Sequence, residues 1–111
     1  MLVTRSSPFG SATRTGVLIA LRLLDETYPR ELARLLEQPL FAVQRALSGL
    51  ERDGLVAAVT TGRTRLYRIN PRYFAQRELC DFLGRLAEPE DFLRAKVEEL
   101  RRRPRRTGKR L

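Results

Sequence analysis

The side chains in this chain with the most to offer chemically are arginines and hydrogen-bonding groups, rather than acids, bases or nucleophiles. There is no histidine, and Cys80 is the single cysteine. The adjacent acids Asp25-Glu26 and Glu90-Asp91 fall where helix ends are expected, a common place for surface carboxylates. General acid–base or nucleophilic catalysis needs a base within reach of a proton or a nucleophile, and no such set is legible. Gly10-x5-Gly16 fails the phosphate-loop pattern, because no Lys-Ser/Thr follows the second glycine. Zinc and soft-metal sites need several thiolate or imidazole ligands, so no metal and no cofactor is expected. An enzyme is the weakest reading. What the chain does offer is a small, amide and cationic set at Ala42, Gln44, Arg45 and Ser48, followed by Arg63, Thr64 and Arg65.

The elements that must position this set can be read from periodicity. Residues 30–36 form a short helix with Leu32, Ala33, Leu35 and Leu36 on its apolar side. The break Glu37-Gln38-Pro39-Leu40 contains a proline, which a helix interior tolerates badly but a first helical turn accepts. A second helix over 41–52 places Val43, Leu47 and Leu50 at i, i+4 and i+7, one buried stripe. Its other side carries Ala42, Gln44, Arg45 and Ser48, with no acid before Glu51, and Gly54 supplies the left-handed stop. Two helices across a short turn make a helix-turn-helix unit, whose second helix has the size of a DNA major groove. An ordinary helical hairpin in a small α domain has the same pattern. Gly49 is unusual inside a helix, costing about 1 kcal/mol of propensity, and predicts close packing against the first helix of the chain or the hairpin.

After Gly54, the β-prone runs 55–60 and 65–69 flank Thr61-Gly62-Arg63-Thr64, where Gly62 supplies the positive φ of a tight hairpin. Arginines 63, 65 and 68 lie at or beside its tip. A cationic hairpin directly after a helix-turn-helix is a wing, able to lie on phosphates or enter a minor groove. A solvated hairpin whose arginines keep an edge strand from pairing is the simpler alternative. Upstream, Ser11 or Thr13 caps a helix that runs to about Thr27, with Val17, Leu18, Leu21 and Leu24 buried. Downstream, Asn70-Pro71 predicts a helix start, and Phe74, Leu79, Phe82, Leu83 and Leu86 a stripe. Beyond Pro89, Phe92, Leu93, Val97 and Leu100 make another. The helix-turn-helix core shows no obvious room for both stripes, so at least one is expected to meet a second subunit. The alternative is that both fold back and enlarge a monomeric core.

Length and charge bound the rest. At 111 residues the chain is long enough for one modest core. It has no apolar run long enough for a membrane span or a signal peptide, and a cytoplasmic location is expected. The net charge of +9 is unevenly spread, since residues 101–111 hold seven of the 22 cations and no acid. Residues 1–70 carry +4 and residues 71–100 carry −2. A polyanionic partner is favoured, with the 71–100 segment facing away from it. Residues 1–10 read as a flexible arm in which Arg5, like Arg14 just beyond it, is placed to touch phosphate or simply to stay solvated. Residues 101–111 read as a basic disordered tail, for phosphate contact, solubility or an acidic partner.

These residues together resemble the ArsR-type winged-helix repressors of bacteria and archaea over roughly residues 10–87. The resemblance rests on Glu31-Leu32-Ala33-Arg34-Leu35-Leu36, Val43-Gln44-Arg45-Ala46-Leu47, Leu50-Glu51-Arg52-Asp53-Gly54-Leu55-Val56 and the Gly62-Arg63 tip with Tyr67 behind it. It implies a homodimer on an operator palindrome, with bases contacted from Ala42, Gln44, Arg45 and Ser48 and backbone from Arg63, Thr64 and Arg65. Metal-sensing members carry two cysteines entering the first helix of the motif; Tyr28 and Arg30 occupy those positions here, which excludes that mode of sensing. Phe9-Gly10-Ser11 resembles a subgroup joined to nucleotidyltransferase domains, although the Asp-x-Asp metal pair of that chemistry is missing.

The fold expected is mainly α with a two-stranded β wing: a winged helix-turn-helix over 11–70 with C-terminal dimerisation helices over 71–100. The function expected is sequence-specific binding of double-stranded DNA by a homodimeric regulator, a repressor, with Arg30, Arg63 and Arg65 on phosphates. The alternative is an adaptor that uses Phe41, at the start of the second helix, to dock a nucleotidyltransferase-like protein or an RNA.

Overall fold

A computed structural model describes residue 2 and residues 7–102. The order is α1 (Ala12–Leu24), β1 (Glu26–Thr27), α2 (Pro29–Leu36), α3 (Leu40–Arg52), β2 (Val56–Thr61), β3 (Thr64–Ile69), α4 (Gln76–Ala87) and α5 (Asp91–Arg102). The fold class is the winged helix expected, with five helices and a small antiparallel sheet among the described residues. Most of the expected arm and tail, including Arg5 and residues 103–111, lies outside the described residues. Among those described, no helix is long and apolar enough to cross a membrane.

Helix α1 is the hub. Ser11 caps it, its Oγ accepting from the Arg14 amide at 3.1 Å. Every residue from Thr15 to Leu21 is buried, because α2, α3, α4, α5 and β3 all pack around it. Gly16 permits the approach of α2: a Cβ there would lie 3.2 Å from Leu36 Cδ2. Helix α2 starts at Pro29, and the Thr27 hydroxyl donates to Glu31 one turn later, which fixes the entry to the helix. Glu37 turns the chain out of α2 in the left-handed region, with φ 55°, before Pro39 opens α3. Val43, Leu47 and Leu50 are fully buried, the stripe expected.

The sheet departs from expectation. Helix α1 ends at Leu24, where Asp25 adopts φ 76°, and Glu26 and Thr27 then pair with Arg68 and Tyr67. The expected two-stranded wing is therefore part of a three-stranded sheet in the order β1-β3-β2. The hairpin itself closes through Gly62-Arg63 between the paired Thr61 and Thr64. Positive φ at Gly62 alone (62°) is the pattern of a type II′ turn, whose twist matches that of the strands.

The C-terminal helices need two corrections. Asn70 does cap, its Oδ1 accepting from the Arg72 amide, but what it caps is a turn, and α4 begins only at Gln76. Phe74 is thus outside the helix and 92% exposed, and Phe82 lies off the buried stripe. The other correction concerns room. Leu79, Leu83, Ala87, Leu93 and Val97 all join the core of their own chain, against the encircled α1 and, for α5, also against α2. The missing space was the far side of α1, which a one-sided reading of that helix hid. The aliphatic members of both stripes thus pack within one chain, while Phe74, Phe82 and Phe92 stay exposed.

Candidate nucleic-acid interface

The exposed side of α3 can be laid out from the helical rotation of about 100° per residue. Arg45, Ser48 and Arg52 lie along its centre with Phe41, and all four are exposed. Gln44 and Glu51 form one edge; Ala42 and Gly49 form the other. No side-chain hydrogen bond or ion pair with a described residue engages Gln44, Arg45, Ser48 or Arg52. The helix is held from behind by its buried leucines, so these groups stand out from a rigid support.

The Gln44–Glu51 edge is joined to the hairpin. Arg65 Nη2 donates to both carboxylate oxygens of Glu51, at 2.9 and 3.1 Å, and its Nε donates to the Tyr67 hydroxyl at 3.0 Å. The guanidinium also lies 5.6 Å from the Tyr67 ring centre. The Tyr67 hydroxyl first, and Glu51 second, push the Arg65 pKa above its ordinary value. Tyr67 is buried, so Arg65 is braced against the sheet while it grips the helix. The tip end of the hairpin is thereby fastened beside the outward face of α3. Arg63 occupies the tip itself, exposed and with no bond to any described residue; Thr64 is exposed next to it.

The Ala42–Gly49 edge faces the start of α1. Arg14 crosses over Gly49 and places Nη2 2.6 Å from Asp53 Oδ2. A Cβ on Gly49 would sit 2.7 Å from Arg14 Nη1, so the glycine marks a close approach to α1, as its place in a helix suggested. Between these elements lies a cleft of about 460 Å³ that includes Arg14, Phe41, Ala42, Arg45, Gly49 and Arg52 in its lining.

The structure therefore brings Ala42, Gln44, Arg45 and Ser48 onto one face and sets Arg65 beside them, with Arg63 and Thr64 at the nearby turn. Arg65 differs from its expected role in one respect: its guanidinium is engaged by Glu51 and Tyr67. Arg30 stands apart, exposed at the second residue of α2 and bonded to none of the others. Sequence reasoning overlooked Arg52, although its spacing of seven from Arg45 puts both on one side of the helix. The Arg14–Asp53 link, across 39 residues, has no local signal. Among the described residues no cluster of His, Cys, Asp and Glu able to hold a metal occurs.

No known protein-family profile and no curated protein sequence matches the chain. Its fold is similar to that of solved structures. The adhesin competence repressor AdcR from Streptococcus pyogenes aligns with a TM-score of 0.59 at 14% identity, over 85% of this chain and 68% of that one. A mutant of MarR from E. coli, solved in complex with operator DNA, aligns with a TM-score of 0.57 at 22% identity, over 78% of this chain and 61% of that one. This chain thus spans about three fifths of the MarR chain, and identities this low carry the winged-helix fold alone. The finer ArsR-type resemblance of the sequence has no counterpart in these comparisons.

Proposed function

We propose that the chain is a sequence-specific double-stranded DNA-binding transcription regulator of the winged-helix kind, acting as a homodimeric repressor. The observation that carries this reading is the union of two features on one side of the molecule. One is an outward α3 face of small, amide and cationic groups; the other is a hairpin bearing Arg63, fastened to that face by Arg65 and Glu51. Arg45 suits guanine and Gln44 adenine, each bidentate pair worth about 1–3 kcal/mol of discrimination, with Ser48 assisting and Ala42 against a thymine methyl. Arg63 and Arg30 contribute phosphate contacts, while Arg65 positions the wing, with Thr64 beside it. The operator complex of MarR and the repressor name of AdcR support the same reading for a shared fold. The ArsR-type motifs add the dimer, which would set two copies of α3 about 34 Å apart on a palindrome. Its contact would draw on residues 71–100, where Phe74, Phe82 and Phe92 remain exposed on segments that follow the 11–70 DNA-binding unit.

Selection of a random duplex pool by the protein, followed by sequencing, tests this directly. A palindromic motif is expected. Arg45→Ala should flatten the preference among sequences, whereas Arg63→Ala should weaken all duplexes alike and lower the salt dependence. An unenriched pool, or two variants indistinguishable from wild type, would remove the assignment. One observation favours a second reading as an adaptor: Phe41 is 66% exposed at the first turn of α3, where it could fill a pocket on a protein such as a nucleotidyltransferase. Capture of such a protein without salt-sensitive duplex binding would select that reading.

A further inference from the structure

The cleft between the start of α1 and α3 is lined by three arginines from two elements, Arg14, Arg45 and Arg52, with the Arg14 and Arg52 guanidinium groups both beside Gly49. They are held differently. Arg14 is only 24% exposed, gives Nη2 to Asp53, and has its Nε buried without a hydrogen-bond partner. Arg45 and Arg52 are exposed, two turns apart on the same side of α3, and bonded to no described residue. Among the described residues Asp53 is the one carboxylate joined to this group, and it is already taken by Arg14. Two uncompensated cations therefore share a recess with a third that is only half satisfied. Like charges converge at a cost unless an anion fits between them, and guanidinium forks match the oxygens of a phosphoryl group. The hydroxyl-bearing Ser11 and Thr13 complete the polar lining, and Phe41 gives it an apolar wall. A cleft of about 460 Å³ is roomy for a free phosphate ion and better suited to a phosphoryl group with its sugars attached.

We propose that this cleft is an anion site that takes one backbone phosphate of the duplex, beside the bases facing α3. The proposal rests on α3 facing DNA, and it adds a contact from the α1 side that neither the helix-turn-helix pattern nor the wing supplies. The face of α3 would then be bracketed by Arg63 on the hairpin side and by Arg14 on the other, with Arg52 between them. Arg52 is the group to test, because it is exposed, holds no other side chain in place and lies outside the residues assigned to base reading.

The experiment measures duplex binding by Arg52→Gln, Arg63→Ala and wild type between 50 and 200 mM salt. Losing one phosphate contact should reduce the slope of log affinity against log salt by about 0.9, so the deficit of Arg52→Gln should shrink about 3.5-fold across that range, equally for every duplex sequence. A wild-type slope for Arg52→Gln, alongside a reduced slope for Arg63→Ala, would overturn the cleft as a phosphate site and leave duplex binding intact. Should wild type bind no duplex, the functional reading fails by itself, and titration with inorganic phosphate decides the cleft. Amide resonances of Thr13, Ala46 and Gly49 that shift in wild type and stay fixed in Arg52→Gln would retain an anion site filled by free phosphate. No shift in either protein would overturn it.

Discussion

Replacing Gly49 by alanine should leave the global stability of the protein almost unchanged while detaching Arg14 from Asp53. Gly49 is in helical conformation, so alanine contributes about 1 kcal/mol of helix propensity. Against this, the new Cβ would lie 2.7 Å from Arg14 Nη1, inside van der Waals contact. What stands in the way is the far end of a flexible side chain, and no backbone has to move. The guanidinium can swing into the cleft, and the cost is its ion pair. With side chains 24% and 51% exposed, the pair belongs with those that contribute about 0.2–1 kcal/mol. The two effects offset each other to within about 1 kcal/mol. Urea unfolding of wild type, Gly49→Ala, Asp53→Ala and the double variant isolates the second effect. Asp53→Ala should cost less in the Gly49→Ala background than in wild type by up to about 1 kcal/mol, a difference from which any change at the α3 C-cap cancels. Destabilisation by Gly49→Ala beyond about 2 kcal/mol would mean that the backbones of α1 and α3 need the glycine. An equal cost of Asp53→Ala in both backgrounds would mean that Arg14 holds Asp53 by some other route. Either result refutes the reasoning.

Two further expectations address other parts of the chain. Leu83 is fully buried among residues of its own chain, so Leu83→Ala should cost about 2–5 kcal/mol, the same at every protein concentration; a loss that grows on dilution would place this leucine in a subunit contact instead. The Lys96 ammonium, 3.0 Å from Glu37, holds that carboxyl below its ordinary value of 4.5, by hydrogen bonding first and charge second. A depressed carboxyl contributes stability above its unfolded pKa and loses it as pH falls through the folded one. The difference in thermal midpoint between wild type and Glu37→Gln should therefore be full at neutral pH, narrow as pH drops below 4.5, and close in acid. A difference that is constant with pH would mean that the Lys96 contact does not anchor α5 to the turn before α3.

Much of the candidate site's layout was legible because its determinants are local. Pro29, Pro39 and Gly54 punctuate the chain, the stripe Val43–Leu47–Leu50 orients α3, and Gly62 permits the hairpin. These choose which side of α3 is polar and that a cationic turn follows it, since each acts within a few residues through φ preference or helical period. Strand β1 was illegible because two residues have no periodicity; what makes them a strand is pairing with Tyr67 and Arg68, about forty residues later. The stripes of α4 and α5 were visible, but their destination was not. Only packing all round α1 decides that a single chain takes in the leucines and valine of both and leaves Phe74, Phe82 and Phe92 exposed. The two links that brace α3, Glu51 to Arg65 and Asp53 to Arg14, likewise depend on distances in space, because ion pairing follows where charges meet and not their order along the chain. Local residue patterns specify an outward helix face and a basic hairpin. Three-dimensional packing puts the two on one side of the molecule and selects which arginines are left free to act there.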